Sequence, residues 1–246
     1  MARLLHAFLL AGAVVLAASA AKAQSIPVDT ALVLVIDASG SISDGEFRLQ
    51  KEGIAEAVTH PRVLQAILQG PVQRVAFAYV EWGSPGGATL VVDWQIVEDE
   101  AGALTFANSV LTAPRSLQSY NAIGDALVLA TALLAACPCE ALQRIIDVSG
   151  DNPDNRSLVP APLARDAAVD AGITVNALAI LQDSALGPGG QPWLVERYQA
   201  EVIGGPGAFV MPANSRADFT RALLDKLVLE LSYGPAEDGR RTTAQR

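Results

Sequence analysis

Three short segments of the sequence concentrate oxygen donors of the kind that hold hard cations. They are Asp37-Ala38-Ser39-Gly40-Ser41, Ser119-Tyr120-Asn121-Ala122-Ile123-Gly124 and Ser149-Gly150-Asp151-Asn152. Together they offer carboxylates, hydroxyls and an amide, with no sulfur or imidazole. Such a set suits Mg²⁺, Mn²⁺ or Ca²⁺ and not zinc or copper. Asp37 and Asp151, if held a few ångströms apart, repel by a few kcal/mol at an effective dielectric of about 20. A divalent cation turns that repulsion into attraction, and hydroxyls complete its shell without adding charge. Aspartate and serine also cap helices and turns very often. No one of the three segments therefore carries the reading alone; their arrival at one edge of one sheet would.

Other chemistries find little support. The sequence has no G-x-S-x-G elbow and no G-x-x-x-x-G-K-[ST] phosphate loop. A serine hydrolase needs a base, and His60, beside Pro61, reads as an ordinary residue of a surface connection. Asp44, Glu46 and Asp154 are solvated or sit at helix N-termini, where negative charge is favourable. Asp147, inside an apolar run, is expected to bond neighbouring backbone or hydroxyl groups at some desolvation cost. Trp82, Trp94 and Trp193 read as packing residues.

The elements that must position the three loops alternate between strand-like and helix-like, the pattern of a mostly parallel sheet covered on both faces. Residues 31–36 (ALVLVI) form a continuous aliphatic run, as a central strand buried on both faces requires. Further strands are read at 75–80, 90–97, 144–148, 173–180 and 208–211. The turn Gly83-Ser84-Pro85-Gly86-Gly87 makes the second and third a hairpin, so the third is antiparallel and lies at the sheet edge. Helical spacing of apolar residues marks 44–58, 104–111, 122–136, 161–171 and 193–202, the last preceded by Gly187-Pro188-Gly189-Gly190. Ser215 reads as the N-cap of a final helix that buries Phe219, Ala222, Leu223 and Leu227. The expected fold is a doubly wound, Rossmann-like α/β domain over residues 26–233. In such sheets ligands bind beyond the carboxyl ends of the strands, which is where the first and third donor segments fall.

Composition agrees. The 246 residues are 51% hydrophobic and 17% charged, ample for a core, and 17 basic against 26 acidic residues give a net charge of -9. That balance argues against nucleic acid, which needs clustered Lys and Arg. Arg3, the apolar stretch 4–20 and Ala21-Lys22-Ala23 read as a signal peptide with an Ala-x-Ala cleavage site. The stretch is too short and Ala-rich for a membrane anchor. Export to the periplasm or beyond is expected, with 234–246 as a polar tail. Cys137 and Cys139, separated only by Pro138, are either bridged or two thiols; two soft ligands alone do not make a zinc site.

Asp37-x-Ser39-x-Ser41 after a buried strand resembles the D-x-S-x-S signature of von Willebrand factor type A (vWA) domains. The resemblance covers nearly all of the chain beyond the signal peptide. Within that superfamily it looks most like a group of uncharacterised bacterial secreted proteins. The carrying stretches are Asn121-Ala122-Ile123-Gly124-Asp125-Ala126-Leu127, Arg144-Ile145-Ile146-Asp147-Val148-Ser149-Gly150-Asp151 and Val202-Ile203-Gly204-Gly205-Pro206-Gly207-Ala208-Phe209-Val210. The resemblance implies a metal-ion-dependent adhesion site (MIDAS). Asp37, Ser39 and Ser41 match its first loop and Asp151 its third, and an open metal position takes a carboxylate from a partner protein. Two positions depart. Asn121 stands where the family pattern T-x-x-G-x-A-L has threonine, and Asn152 replaces the glycine that often follows the third-loop acid. The expected metal set is Asp37, Ser39, Ser41, Asn121 and Asp151 around Mg²⁺, or Mn²⁺ or Ca²⁺. The expected function is non-enzymatic protein binding through that cation. The rival readings are a metal-dependent hydrolase or phosphotransferase, and a structural vWA domain with a degenerate site.

Overall fold

The computed structural model describes residues 25–181, 192–215 and 218–232. The expected signal peptide, the Gly187–Gly190 loop and the tail 234–246 lie outside the described residues. The strands are β1 (Ile26–Asp37), β2 (Val75–Trp82), β3 (Thr89–Val97), β4 (Cys139–Gly150), β5 (Thr174–Ile180) and β6 (Val210–Ala213). The helices are α1 (Asp44–Thr59), α2 (Pro61–Leu68), α3 (Glu100–Thr112), α4 (Ile123–Ala135), α5 (Ala161–Asp170), α6 (Trp193–Glu201) and α7 (Phe219–Leu231). No helix among the described residues is long and apolar enough to cross a membrane.

The strands form one sheet in the order β3-β2-β1-β4-β5-β6. All neighbours are parallel except β2 and β3, the expected hairpin at the edge. From β1 the chain builds outward first to one side and then, from β4, to the other. The order therefore reverses between β1 and β4, and the crevice above that pair is where open α/β sheets bind ligands. Ile36 lies in register with Ser149 and Asp37 with Trp82, so the carboxyl ends of β1, β2 and β4 stand side by side.

The period-2 alternation of β1 assigns its two faces. Ala31, Val33 and Val35 pack with α4, α5 and α6, through Ile123, Leu127, Ala164 and Leu194. Leu32, Leu34 and Ile36 pack on the other face with α1, α2, α3 and α7, through Ile54, Val63, Phe106 and Leu223. β1 needs apolar residues at every position here because both faces are covered.

Local signals set the helix boundaries. Ser43 and Glu46 form a reciprocal capping box at the start of α1, which satisfies two otherwise orphaned backbone donors. α2 was not expected from the sequence. Pro61 occupies its first turn, His60 caps it by accepting from the Arg62 N–H at 3.1 Å, and Val63, Ala66 and Ile67 are buried. α7 starts later than Ser215: its N-cap is Asp218, and Ser215 Oγ instead accepts the Asp218 N–H in the preceding turn, at 3.3 Å. Cys137 and Cys139 are bridged, joining the end of α4 to the start of β4.

The expectation for Asp147 is corrected. Its partner is an ammonium, not a backbone or hydroxyl group: Lys226 Nζ on α7 lies 2.6 Å from Asp147 Oδ1 and 2.5 Å from Glu230 Oε1. Asn176 of β5 donates to Glu230 Oε1 at 2.8 Å and accepts the Phe209 N–H at 3.1 Å. Lys226 is fully buried and Asp147 with it. Two carboxylates share one ammonium away from water, and burial together with Asp147 pushes the Glu230 carboxyl up to about 8. Helix periodicity pairs Lys226 with Glu230 but gives no hint of Asp147, which joins them only when α7 packs against the sheet.

Candidate metal centre

The first loop leaves β1 at Asp37, whose side chain is completely buried. Asp37 Oδ1 accepts the Ser39 N–H at 2.8 Å, which turns the chain sharply upward. The Ser39 and Ser41 hydroxyl oxygens then lie 3.0 Å apart. Ser39 is buried and Ser41 exposed, so the pair leads from the interior to the surface. Arg115 holds this loop from behind. Its guanidinium donates to the carbonyls of Ala38 and Ser39, both at 3.0 Å, of Ile42 at 2.9 Å, and to Asp44 at 2.8 Å, while lying over the Phe47 ring. Planar, five-donor geometry suits arginine, not lysine, to such a fan of acceptors.

The second loop crosses beneath the first. The Gly40 N–H donates to Ser119 O at 3.3 Å, and the Ala122 N–H donates to Gly83 O at 2.9 Å. The buried Glu81 carboxylate at the end of β2 accepts the Ser116 N–H at 2.6 Å and the Tyr79 hydroxyl at 3.1 Å. A side chain at Gly83 would press within about 3 Å of Tyr120 O and Ser39 Cα, so only glycine lets the loops mesh. Asn121 follows. It is 9% exposed, and its backbone exchanges hydrogen bonds with Asn155: Asn155 N–H to Asn121 O at 2.6 Å, and Asn121 N–H to Asn155 Oδ1 at 3.3 Å. Its side chain does not cap α4. The N-cap is Ala122 without a side-chain bond, and the Gly124 N–H is satisfied across the interface by Asp154 and Ser157. Asn121 Oδ1 is left buried with no hydrogen-bond partner.

The third loop leaves β4 at Ser149-Gly150. Asp151 is 5% exposed, and Asn152 Nδ2 donates to its Oδ1 at 2.7 Å. Below it stands Tyr198 of α6, fully buried, whose hydroxyl donates to Asn152 O at 2.8 Å. A Cβ on Gly150 would sit 2.5 Å from that hydroxyl and 3.0 Å from the Trp82 ring. Burial raises the Tyr198 hydroxyl well above the ordinary tyrosine range, and the negative charges of Asp37, Asp151 and Asp154 raise it further.

Asp37, Ser39, Ser41, Asn121 and Asp151 therefore sit on three interlocked loops above the β1–β4 reversal point. Among the described residues no three His, Cys, Asp or Glu side chains form a metal-holding group; a cation here depends on hydroxyl and amide oxygens to complete a two-carboxylate set. The orphaned Asn121 Oδ1 fits that role, because an unsatisfied buried acceptor costs about 1–3 kcal/mol that a ligand recovers. The positioning residues Arg115, Glu81 and Tyr198 carry no local motif. Arg115 acts through backbone carbonyls, and Tyr198 reaches the site only because α6 packs against β5 and β6.

A mostly parallel six-stranded sheet with one antiparallel edge and loops of this kind above β1 and β4 is the vWA fold. The solved structures agree. The pilus adhesin SpaC from Lactobacillus rhamnosus GG superimposes with a TM-score of 0.58 at 17% identity, over 84% of this chain and 30% of that one. Proximal thread matrix protein 1 from the mussel byssus, with a zinc-occupied MIDAS motif, gives 0.58 at 18%, over 85% and 47%. A von Willebrand factor type A protein from Catenulispora acidiphila gives 0.53 at 16%, over 83% and 43%. The chain thus spans about a third to a half of the length of these proteins. Comparison with curated proteins yields no match. The chain belongs to the family described as "Protein of unknown function (DUF1194)", matching it over residues 27–234.

Proposed function

We propose that this chain is an exported vWA domain that binds a protein partner through a divalent cation held by Asp37, Ser39, Ser41, Asn121 and Asp151. The observation that carries the reading is the buried, unpartnered Asn121 Oδ1 beside the Asp37 and Asp151 loops. When bound, the cation supplies an electrophilic centre for a partner carboxylate. The protein's own groups do the rest. Arg115 and the Asp37–Ser39 bond fix the first loop, Glu81 anchors the second, and Tyr198 holds the third through Asn152 O. Mg²⁺ and Mn²⁺ suit the oxygen donors best, with Ca²⁺ also accommodated. The zinc-occupied MIDAS of the mussel protein supports a divalent occupant while widening the choice of ion. The adhesin among the structural neighbours supports a binding role.

Calorimetric titration of Mn²⁺ into the protein lacking residues 1–23 tests the reading. Binding to the wild type, its loss in Asp37→Ala and its weakening in Asn121→Ala are the expected results. Asn121→Thr preserves or tightens binding, since a hydroxyl restores the family ligand. Equal affinities for wild type and Asn121→Ala remove Asn121 from the site. N-terminal sequencing of exported material tests cleavage after Ala23.

A further inference from the structure

The rim of the same face carries apolar side chains that the fold does not use. Leu117 is 98% exposed, Leu158 73% and Tyr120 47%. Leu117 and Tyr120 belong to the second loop, and Leu158 lies seven residues beyond Asp151. All three are tied to the β2–β3 turn. The Gln118 amide next to Leu117 donates to Gly87 O and accepts the Ser84 N–H. A Cβ on Gly86 would touch Leu158 Cδ1 at 3.3 Å, and one on Gly83 would touch Tyr120 O. Asp125 binds both sides of this seam, accepting from the Gly86, Leu158 and Val159 N–H groups. Exposed leucines scattered singly need no explanation; a group of them on three interlocked loops does.

Arg156 stands among them. It is exposed, and its guanidinium lies 5.3 Å from the centre of the Tyr120 ring. Its φ is +67°, a left-handed conformation that costs a non-glycine residue energy and persists only where the surroundings impose it. Here the imposition comes from both sides: Asn155 is bonded to Asn121, and Leu158 to Asp125. No salt bridge neutralises Arg156 among the described residues, although the chain is strongly acidic. An exposed guanidinium over an aromatic ring, on the loop that also carries Leu158, is arranged to receive a carboxylate from outside.

We infer that Leu117, Tyr120, Arg156 and Leu158 form the docking rim for an extended partner segment that carries two acidic residues with an aliphatic residue between them. On the proposed function the first acid goes to the bound metal ion; the second goes to Arg156, and the aliphatic residue lies against Leu117 and Leu158. Charge complementarity selects this occupant over a lipid surface or a nucleic acid. The rim presents a single cation, too few for a phosphate-bearing polymer.

The test uses three capped hexapeptides otherwise of glycine and serine: one with leucine alone, one with leucine and one aspartate, and one with leucine between two aspartates. Binding is followed by NMR titration in Mg²⁺ and again in EDTA. In Mg²⁺ the two-aspartate peptide binds about 1.5- to five-fold more tightly than the one-aspartate peptide, the range of an exposed ion pair. Arg156→Gly erases that difference, and glycine relieves the positive φ, so the variant folds at least as well as the wild type. Leu117→Ser with Leu158→Ser weakens all three peptides. In EDTA the one-aspartate peptide still exceeds the leucine peptide through Arg156. If Mg²⁺ tightens nothing while the Arg156-dependent preference persists, the cation reading falls and the rim stands. If Mg²⁺ tightens binding but Arg156→Gly, folded by its thermal melt, keeps the two-aspartate preference, the rim assignment is overturned and the cation reading stands.

Discussion

Glu230 should make the stability of this domain fall as pH rises through neutrality. Its carboxyl is buried beside Asp147 and Lys226 and held near pH 8, against an ordinary value of 4.5. A raised folded-state value means that the native state holds a proton the unfolded chain has released. The associated stabilisation is complete below about pH 4.5 and is lost progressively as pH climbs to about 8. At 1.36 kcal/mol per pH unit the whole effect is on the order of 5 kcal/mol. The groups facing Glu230 are Asp147 from β4, Asn176 from β5 and Lys226 from its own helix, with Phe209 near the ammonium. Urea unfolding at intervals from pH 5 to pH 9 measures the slope, and Glu230→Gln isolates its source. The variant holds no titrating proton here, so its curve should be flatter and should cross above the wild type near the upper end. A wild-type curve without the fall, or an unchanged fall in Glu230→Gln, refutes this account of the cluster.

Lys226→Met strands the buried Asp147 carboxylate and should cost about 3–5 kcal/mol at neutral pH, read by the same urea curves. Mn²⁺ at about 100 times its dissociation constant should add roughly 2.7 kcal/mol, seen as a chelator-sensitive rise in Tm that Asp37→Ala abolishes. Tyr198→Phe removes one hydrogen bond, so a loss of about 0.5–1.5 kcal/mol is expected together with weaker Mn²⁺ binding by calorimetry. Replacing Cys137 and Cys139 by serine opens a ring of only three residues, and chain entropy then predicts a loss of no more than about 2 kcal/mol in thermal or urea unfolding.

The parts of this structure that were legible in the sequence are those set by local period and turn chemistry. The aliphatic run of β1, the Gly-Ser-Pro-Gly-Gly turn of the β2–β3 hairpin and the amphipathic stripes of α1, α3 and α4 each announce themselves within about ten residues. The donor loops were legible for a related reason, since oxygen-rich segments directly after apolar runs fall at strand ends. What the sequence hid lies in contacts between distant segments. α2 is short, and the Val63, Ala66 and Ile67 spacing was masked by Pro61, which begins the helix. Asp147 looked odd because its partner is on the last helix. Arg115 serves the first loop from the second, and Tyr198 serves the third from α6. Asn121 precedes α4 where a capping side chain would sit, and only the folded backbone shows that α4 is capped without it.

The two ends of the described chain leave the domain together. β1 begins in register with Cys139, the first residue of β4, and Ser232 after α7 borders the groove along Ala141–Ile145 in the same lower half of β4. Twelve residues of β1 at about 3.3 Å each then place Asp37 roughly 36 Å away. Tension applied through these ends would not be shared equally. A pull on Ile26 shears a central strand against both β2 and β4, whose hydrogen bonds must fail together. A pull on Ser232 peels α7 from its end, meeting Glu230 in the last turn and Lys226 one turn further in. That cluster is anchored at Asp147, which stands beside Leu34, three residues before Asp37 on β1, so tension drawn through α7 would reach the sheet just beneath the candidate metal loops.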